Sequence, residues 1–306
     1  MAVPAMTPLA DLVAQELARA VDPRVAAMAA AIAAAHGAAS RAVLFYGSCL
    51  RLEAGQLEGQ MLDFYLIVSD YRLAYPKRWL ATANRLLPPN VFPFANEGLV
   101  AKYAVLSEAD FARLCGPEAD NVSVWARFAQ PTRLAWAADE AARRAAVGAI
   151  SGAAPTLFAL TLPMLAPDAG HPVRAVWERG FQLTYAAELR AERAGRGSSI
   201  VDFDPARYER FGQAALAVLA ARRGRPALSR LAAARRWRRL QRRGKWLTLA
   251  RLAKASATYA GGIDYLAWKI NRHAGTRIAI RPWQRRWPIL GAISLLPRLL
   301  ARGAVR

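Results

Sequence analysis

Two short segments near the start of the chain hold the residue types best suited to chemistry. Leu44-Phe-Tyr-Gly-Ser-Cys49 is an apolar run that ends in Gly-Ser, and it is followed by Met61-Leu-Asp-Phe-Tyr-Leu-Ile-Val-Ser-Asp70. Gly47 lets the backbone turn sharply against phosphate oxygens, and Ser48 offers a hydroxyl and an amide. Asp63 is a hard oxygen ligand of the kind Mg²⁺ takes. One strand ending in Gly-Ser beside a second opening on a carboxylate is a means of holding a triphosphate and its metal. Tyr65, two residues after Asp63, occupies the same strand face, where an Asp-x-Asp pair would place its second carboxylate.

The elements that must position these residues follow from hydrophobic periodicity. Residues 9 to 36 are expected to be helical, with Leu9, Leu12, Val13, Leu17 and Val21 along one face. Ala42 to Tyr46, Leu62 to Val68 and Lys102 to Leu106 are expected strands, being short apolar runs bounded by turn or polar residues. Arg72 to Leu87 is the expected helix after the second strand, and Ser107 is the expected cap of a helix to Leu114. That order predicts a small mixed sheet flanked by helices. Near Trp136 to Glu140 the chain turns mainly helical, which divides it into 1–136, 137–223 and 224–306. Ile200-Val-Asp-Phe203 is expected as a short strand in the second part, and Gly224-Arg-Pro226 as the joint before the third.

Composition narrows the function classes. The length of 306 residues suggests more than one domain, and much of the 55% apolar content is alanine. Cys49 and Cys115 form no disulfide framework, so a reduced, cytoplasmic compartment is expected. His36, His171 and His273 stand far apart, which argues against zinc. The N-terminus lacks the charged start and continuous apolar run of a signal peptide. Ala145 to Pro167 carries no charge, but Gly148, Gly152, Pro155 and Pro163 interrupt it, so a buried helix with a connection is expected rather than a membrane span.

Charge is the second strong signal. The net charge is +21, and from Ala221 onward there are 22 Lys/Arg against the single acid Asp264. Such a block seeks a polyanion. Trp237, Trp246, Trp268, Trp283 and Trp287 alternate with Arg235, Arg236, Arg238, Arg239, Arg285 and Arg286, a mixture suited to an anionic membrane surface. The apolar run from Trp287 to Pro297 is too short to span a bilayer. Ile289, Ile293, Leu296 and Leu300 recur at helical spacing, so a helix lying in the interface is expected, with Trp283, Arg285, Arg286 and Trp287 at its membrane contact.

Five segments in order carry a family resemblance: Tyr46-Gly47-Ser48; Met61-Leu62-Asp63-Phe64 with Val68 and Asp70; Ala101-Lys102-Tyr103-Ala-Val-Leu-Ser107; Val124-Trp-Ala-Arg127-Phe-Ala-Gln-Pro131; and Leu183-Thr-Tyr185-Ala-Ala-Glu188-Leu-Arg190. Together they resemble the mitochondrial-type phosphatidate cytidylyltransferases over roughly residues 42 to 190. The chain departs from that family at Cys49-Leu50-Arg51, at Ala104 in place of glycine, and in a shorter interval from Trp79 to Lys102.

The resemblance implies an α/β nucleotidyltransferase-type domain, then a mainly helical, winged-helix-like domain and a basic amphipathic C-terminal region. It implies that CTP and phosphatidic acid are converted to CDP-diacylglycerol and pyrophosphate, with Mg²⁺ as cofactor, by a cytoplasmic protein peripheral on the inner face of the cell membrane. Asp63, Ser48 and Lys102 would be the catalytic residues. Gly47, Ser48, Lys102, Arg127, Tyr185, Glu188 and Arg190 would bind substrate, with Lys102 neutralising leaving phosphate and Arg127 clamping a phosphate in bidentate fashion. Asp63 and Asp70 would hold the metal. Since Asp70 lies at an odd offset from Asp63, the strand must end or twist before it. Two other expectations stand beside this one: a nucleotidyltransferase acting on RNA or a small molecule, and a catalytically degenerate module that binds membranes.

Overall fold

The computed structural model describes residues 7–52, 54–165, 173–187, 196–221, 228–258, 280–286 and 294. Its centre is a five-stranded mixed sheet: β1 (Ser40–Tyr46), β2 (Met61–Val68), β3 (Asn90–Asn96), β4 (Leu99–Ser107) and β5 (Thr132–Ala137), in the order β3-β4-β2-β1-β5. β1 is antiparallel to both β2 and β5, while β4 runs parallel to β2. The three strands expected from sequence are the inner ones. The two that were not expected are the edges, where alternation is weakest. β3 carries Pro93, which an edge strand tolerates because one side of it lacks a ladder partner.

Alternate residues serve two helical layers. Val43, Phe45, Leu62, Phe64, Leu66 and Val105 face α2 (Pro23–Ala34) together with α3 (Tyr71–Ala74) and α4 (Arg78–Leu86). Leu44, Tyr65, Ile67, Ala104 and Leu106 face the opposite layer of α1 (Leu9–Leu17), α5 (Glu108–Cys115) and α6 (Trp125–Phe128). Into the same cluster come residues of α8 (Ala153–Thr161), α9 (Val173–Tyr185), α10 (Arg196–Phe203), α11 (Pro205–Ala221) and α12 (Arg230–Thr258). The change in composition near residue 137 is therefore a change of element type; the apolar core runs on without a break from Leu9 to Leu240.

Several boundaries differ from expectation for local reasons. The helix expected over 9 to 36 is two helices, because Asp22 accepts from the Arg24 amide at 2.8 Å and Pro23 starts a new helix. The helix expected over 72 to 87 is likewise divided into α3 and α4. Ile200 to Phe203 is helical, part of α10, so among the described residues the second part supplies no strand beyond β5. Ser107 caps α5 as expected, accepting from the Asp110 amide at 3.2 Å.

The stretch Glu140–Met164 is long and apolar enough to cross a membrane by length and composition. It is broken at Ser151-Gly152 between α7 (Glu140–Ile150) and α8, and Leu157 and Phe158 of α8 are fully buried against protein.

Arginines bind the later helices to the first part. Arg207 of α11 makes a bidentate pair with Glu16 of α1, at 2.7 and 3.0 Å, and donates a further bond to the Ala129 carbonyl at 2.8 Å. Arg236 of α12 donates to the carbonyls of Pro117 and Ala119. Trp237, expected at a membrane interface, is a core residue: it is buried, its indole donates to the Leu160 carbonyl at 2.9 Å, and its ring meets Trp125 edge-on. The opposite side of α12 exposes Arg235, Arg238, Arg239, Arg242, Lys245 and Trp246.

Candidate active site

The sheet brings Gly47, Asp63 and Lys102 together at one end. Strand register places Thr132, Tyr46, Asp63, Lys102 and Pro93 opposite one another in a single transverse row, one from each strand. Residues in such a row point to the same face. Here that is the face covered by α1, α5 and α6. The row lies near the C-terminal end of β1, so the chain leaves β1 directly above Asp63.

It leaves through Gly47, at φ +94°, a conformation that side chains with a Cβ rarely adopt. A Cβ at this position would also stand 3.2 Å from Asp63 Oδ2. The glycine therefore provides both the turn and the room for the carboxylate. Ser48 opens the short turn Ser48–Arg51 and is exposed. Cys49 faces inward, its thiol against the Met61 carbonyl at 3.7 Å, and burial together with the Asp63 carboxylate pushes that thiol above its usual range. It is thus no ready nucleophile.

Lys102 Nζ lies 3.1 Å from Asp63 Oδ1. Both side chains reach solvent, at 38% and 21% exposure, so this pair stands at a mouth and not in a core. One carboxylate, a hydroxyl-bearing turn and a lysine form a small donor set. It suits Mg²⁺ in the mode where one carboxylate and the substrate's own phosphates supply the ligands, and Oδ2, the oxygen that does not face Lys102, lies beside the Gly47 turn.

Asp70 is not part of this site. It follows the far end of β2, and the strand from Asp63 to Val68 alone covers roughly 16 Å at about 3.3 Å per residue, whereas two ligands of one Mg²⁺ lie within about 4 Å of each other. Its carboxylate caps α3 by accepting from the Arg72 amide at 2.7 Å, and it stands 3.7 Å from Arg85. The strand does end before it, as the odd offset required, but the chain then turns away. Tyr65, the position an Asp-x-Asp pair would use, is buried under Phe128, with ring centres 5.1 Å apart, and packs on Tyr46 at 5.3 Å. A carboxylate there would be sealed in an apolar layer.

The other candidates lie at varied distances from this row. Arg127 sits in α6 beside Phe128, and its guanidinium donates to the Ser123 carbonyl of the preceding turn. Tyr185 ends α9 and is half-buried against the main core. Glu188, Arg190 and Trp287 lie outside the described residues. Trp283, Arg285 and Arg286 are exposed on α13 (Pro282–Arg286), whose Gln284 turns inward to Ser294 at 2.9 Å.

Two residues near the site lie within the motif segments but were assigned no role from sequence: Tyr46, which pairs with Asp63 across the strand pair, and Phe128, which roofs both tyrosines. The signal for Tyr46 was present in the pattern, since a residue that precedes the turning glycine must pair near the start of the next strand. No protein-family model matches the chain, and no curated protein matches it.

Proposed function

We propose that this protein is a nucleotidyltransferase, and in particular one that makes CDP-diacylglycerol and pyrophosphate from CTP and phosphatidic acid at the inner face of the cell membrane. One observation carries the reading: a positive-φ glycine, an exposed serine, a carboxylate and a lysine converge on one solvent-reaching end of a mixed sheet. The ordered resemblance of five segments to phosphatidate cytidylyltransferases supports the choice of nucleotide and acceptor.

In this reading the Gly47-Ser48 turn grips the triphosphate through its amides and hydroxyl. Lys102 moves from Asp63 to the phosphates and neutralises the charge that gathers on departing pyrophosphate. An oxygen of the lipid phosphate attacks the α-phosphorus in line, the bond to the bridging oxygen breaks, and pyrophosphate leaves. Mg²⁺, held by Asp63, would supply charge neutralisation on the phosphoryl oxygens. The lack of a Cβ at Gly47 leaves room for Asp63 Oδ2 beside the turn, the oxygen that would be offered to the ion.

A second reading has its own observation. The exposed row Arg235, Arg238, Arg239 and Arg242 on α12 falls on one helical face and would also suit a nucleic-acid acceptor. The deciding experiment supplies purified protein with labelled CTP, Mg²⁺ and either phosphatidate vesicles or RNA. Label appearing in CDP-diacylglycerol is the expected result. Label in RNA alone, or no transfer to lipid by a folded preparation, would overturn the lipid assignment.

A further inference from the structure

We propose that the outer face of α4 is a docking surface for an anionic bilayer interface, separate from the C-terminal tail. Arg78, Trp79, Thr82, Arg85 and Leu86 follow the spacing of one helical face, and all are exposed. Trp79 is 47% exposed and Leu86 79%, while the inner face of the same helix buries Ala81 and Asn84. Lys77 precedes the helix and is exposed as well. From Phe64 to Asn96 the bases are Arg72, Lys77, Arg78 and Arg85, and the only acid is Asp70, which Arg85 faces at 3.7 Å. The face thus combines an aromatic, an aliphatic side chain and a net positive charge, of which only Arg85 faces an acid.

This face is fixed. Asn84 donates to the Val105 carbonyl at 2.9 Å, and Asn90 returns a bond to Leu80 at 3.0 Å. Beyond Leu86 the carbonyls of Leu87, Pro88 and Pro89 are taken in turn by two cations of α12. Arg251 donates to Pro88 at 2.8 Å, and Lys254 donates to Pro89 at 2.8 Å and to Leu87. These carbonyls belong to the connection just past the helix, so the clamp fixes where α4 ends. Leu86 is therefore held out in solvent by a pinned helix end. Two turns before the clamp, α12 presents Trp246, 74% exposed, beside Lys245 and Arg242.

The chemistry selects a lipid surface over nucleic acid. A phosphodiester backbone rewards the arginines, but it offers nothing to an aliphatic side chain as exposed as Leu86. An interface that takes Trp and Leu into the headgroup boundary and pairs Lys and Arg with anionic lipids uses every residue of the face. α4 lies on the α2 layer, on the opposite side of the sheet from the face of Asp63 and Lys102, so docking there leaves the sheet end uncovered. The inference rests on the lipid-phosphate reading only for the biological sense of the partner.

The test uses the full chain and vesicles of phosphatidylglycerol with phosphatidylcholine, against phosphatidylcholine alone. Trp79→Ser with Leu86→Ser, and separately Lys77→Ala with Arg78→Ala, are expected to lower partitioning onto the anionic vesicles by about tenfold each. Leu86→Cys carrying a polarity-sensitive fluorophore is expected to shift to the blue when these vesicles are added. Unchanged partitioning in both pairs, or no spectral shift, would overturn the proposal. Loss of single-stranded oligonucleotide binding in the charge pair, with the apolar pair neutral on vesicles, would overturn it in favour of nucleic acid. Turnover of a water-soluble, short-chain phosphatidate keeps the two questions apart: the apolar pair should retain it, and its absence in the unaltered protein would count against the catalytic reading while leaving the vesicle result to stand.

Discussion

Two carboxylate–cation pairs of similar separation sit in opposite surroundings in this molecule. Asp63 and Lys102 meet at 3.1 Å on neighbouring strands, and both reach solvent. Glu16 and Arg207 meet at 2.7 Å between α1 and α11, with exposures of only 6% and 1%. The buried pair has all its partners: Glu16 also accepts from the Thr132 amide, and Arg207 lies over Phe211 at 4.0 Å and reaches Ala129. Such a pair can only hold two helices in place. The open pair lies beside a glycine turn, and both of its members reach solvent. In the function proposed above, distance does not separate the structural ion pair from the functional one; access and what lies alongside do.

Three substitutions test that contrast. Asp63→Asn is nearly isosteric and is expected to lower nucleotidyl transfer about a thousandfold, the several kcal/mol that a bound divalent ion supplies to charge stabilisation. Its melting temperature should stay near that of the unaltered protein, because the pair is exposed and weak. Steady-state transfer of labelled CTP and a thermal melt read the two quantities, and retained turnover would remove Asp63 from the mechanism. Arg207→Met is expected to do the converse. It leaves Glu16 charged in an apolar layer, which costs about 3–5 kcal/mol of stability in urea unfolding. Activity per folded molecule should change little; an undiminished unfolding midpoint would show that the buried pair is dispensable.

The smallest expected effect lies at a third cation, Lys254, which has carbonyl partners. Burial, with Arg251 adding repulsion, lowers its pKa to about 7 from the usual 10.5. Unfolding then takes up a proton between those values, so this group's contribution to stability is full above about 10.5 and is lost as pH falls to about 7. Lys254→Met removes that dependence. Melts at pH 7 and pH 9.5 should show the unaltered protein gaining on the variant at the higher pH, and a pH-independent difference would refute the shift.

Inner strands were legible from the sequence because Leu44, Leu62 and Val105 lie in continuous apolar runs between turn residues. The edges were not, since β3 interrupts its run with Pro93 and β5 lies where residues turn helical soon after. Gly47 and Asp63 could be paired from the motif alone, as the strands they end and open are neighbours in the chain. Asp70 could not be placed: whether the chain continues toward or away from the site after Val68 depends on α3, and the carboxylate that begins α3 serves as its cap. The part of the basic region that proves internal was hidden for another reason. Trp237 has arginines on both sides in sequence, yet on a helix its immediate neighbours lie on other faces. Only the register of α12 against Trp125 and Leu160 decides which side turns inward.

The inward turn of Trp237 has a consequence for synthesis. All five strands and both members of the open pair are complete once Ala137 has been made. The face of the sheet that bears Tyr65 and Ile67 is by then under α1, α5 and α6, but the outer side of that layer, Trp125 included, waits for helices that extend to Leu240. During translation this helical layer must therefore keep apolar side chains such as Trp125 bare while roughly a hundred further residues emerge, on the order of 5–20 s at 5–20 residues per second. For that interval the nascent chain is a client for whatever in the cell shields exposed hydrophobic surface.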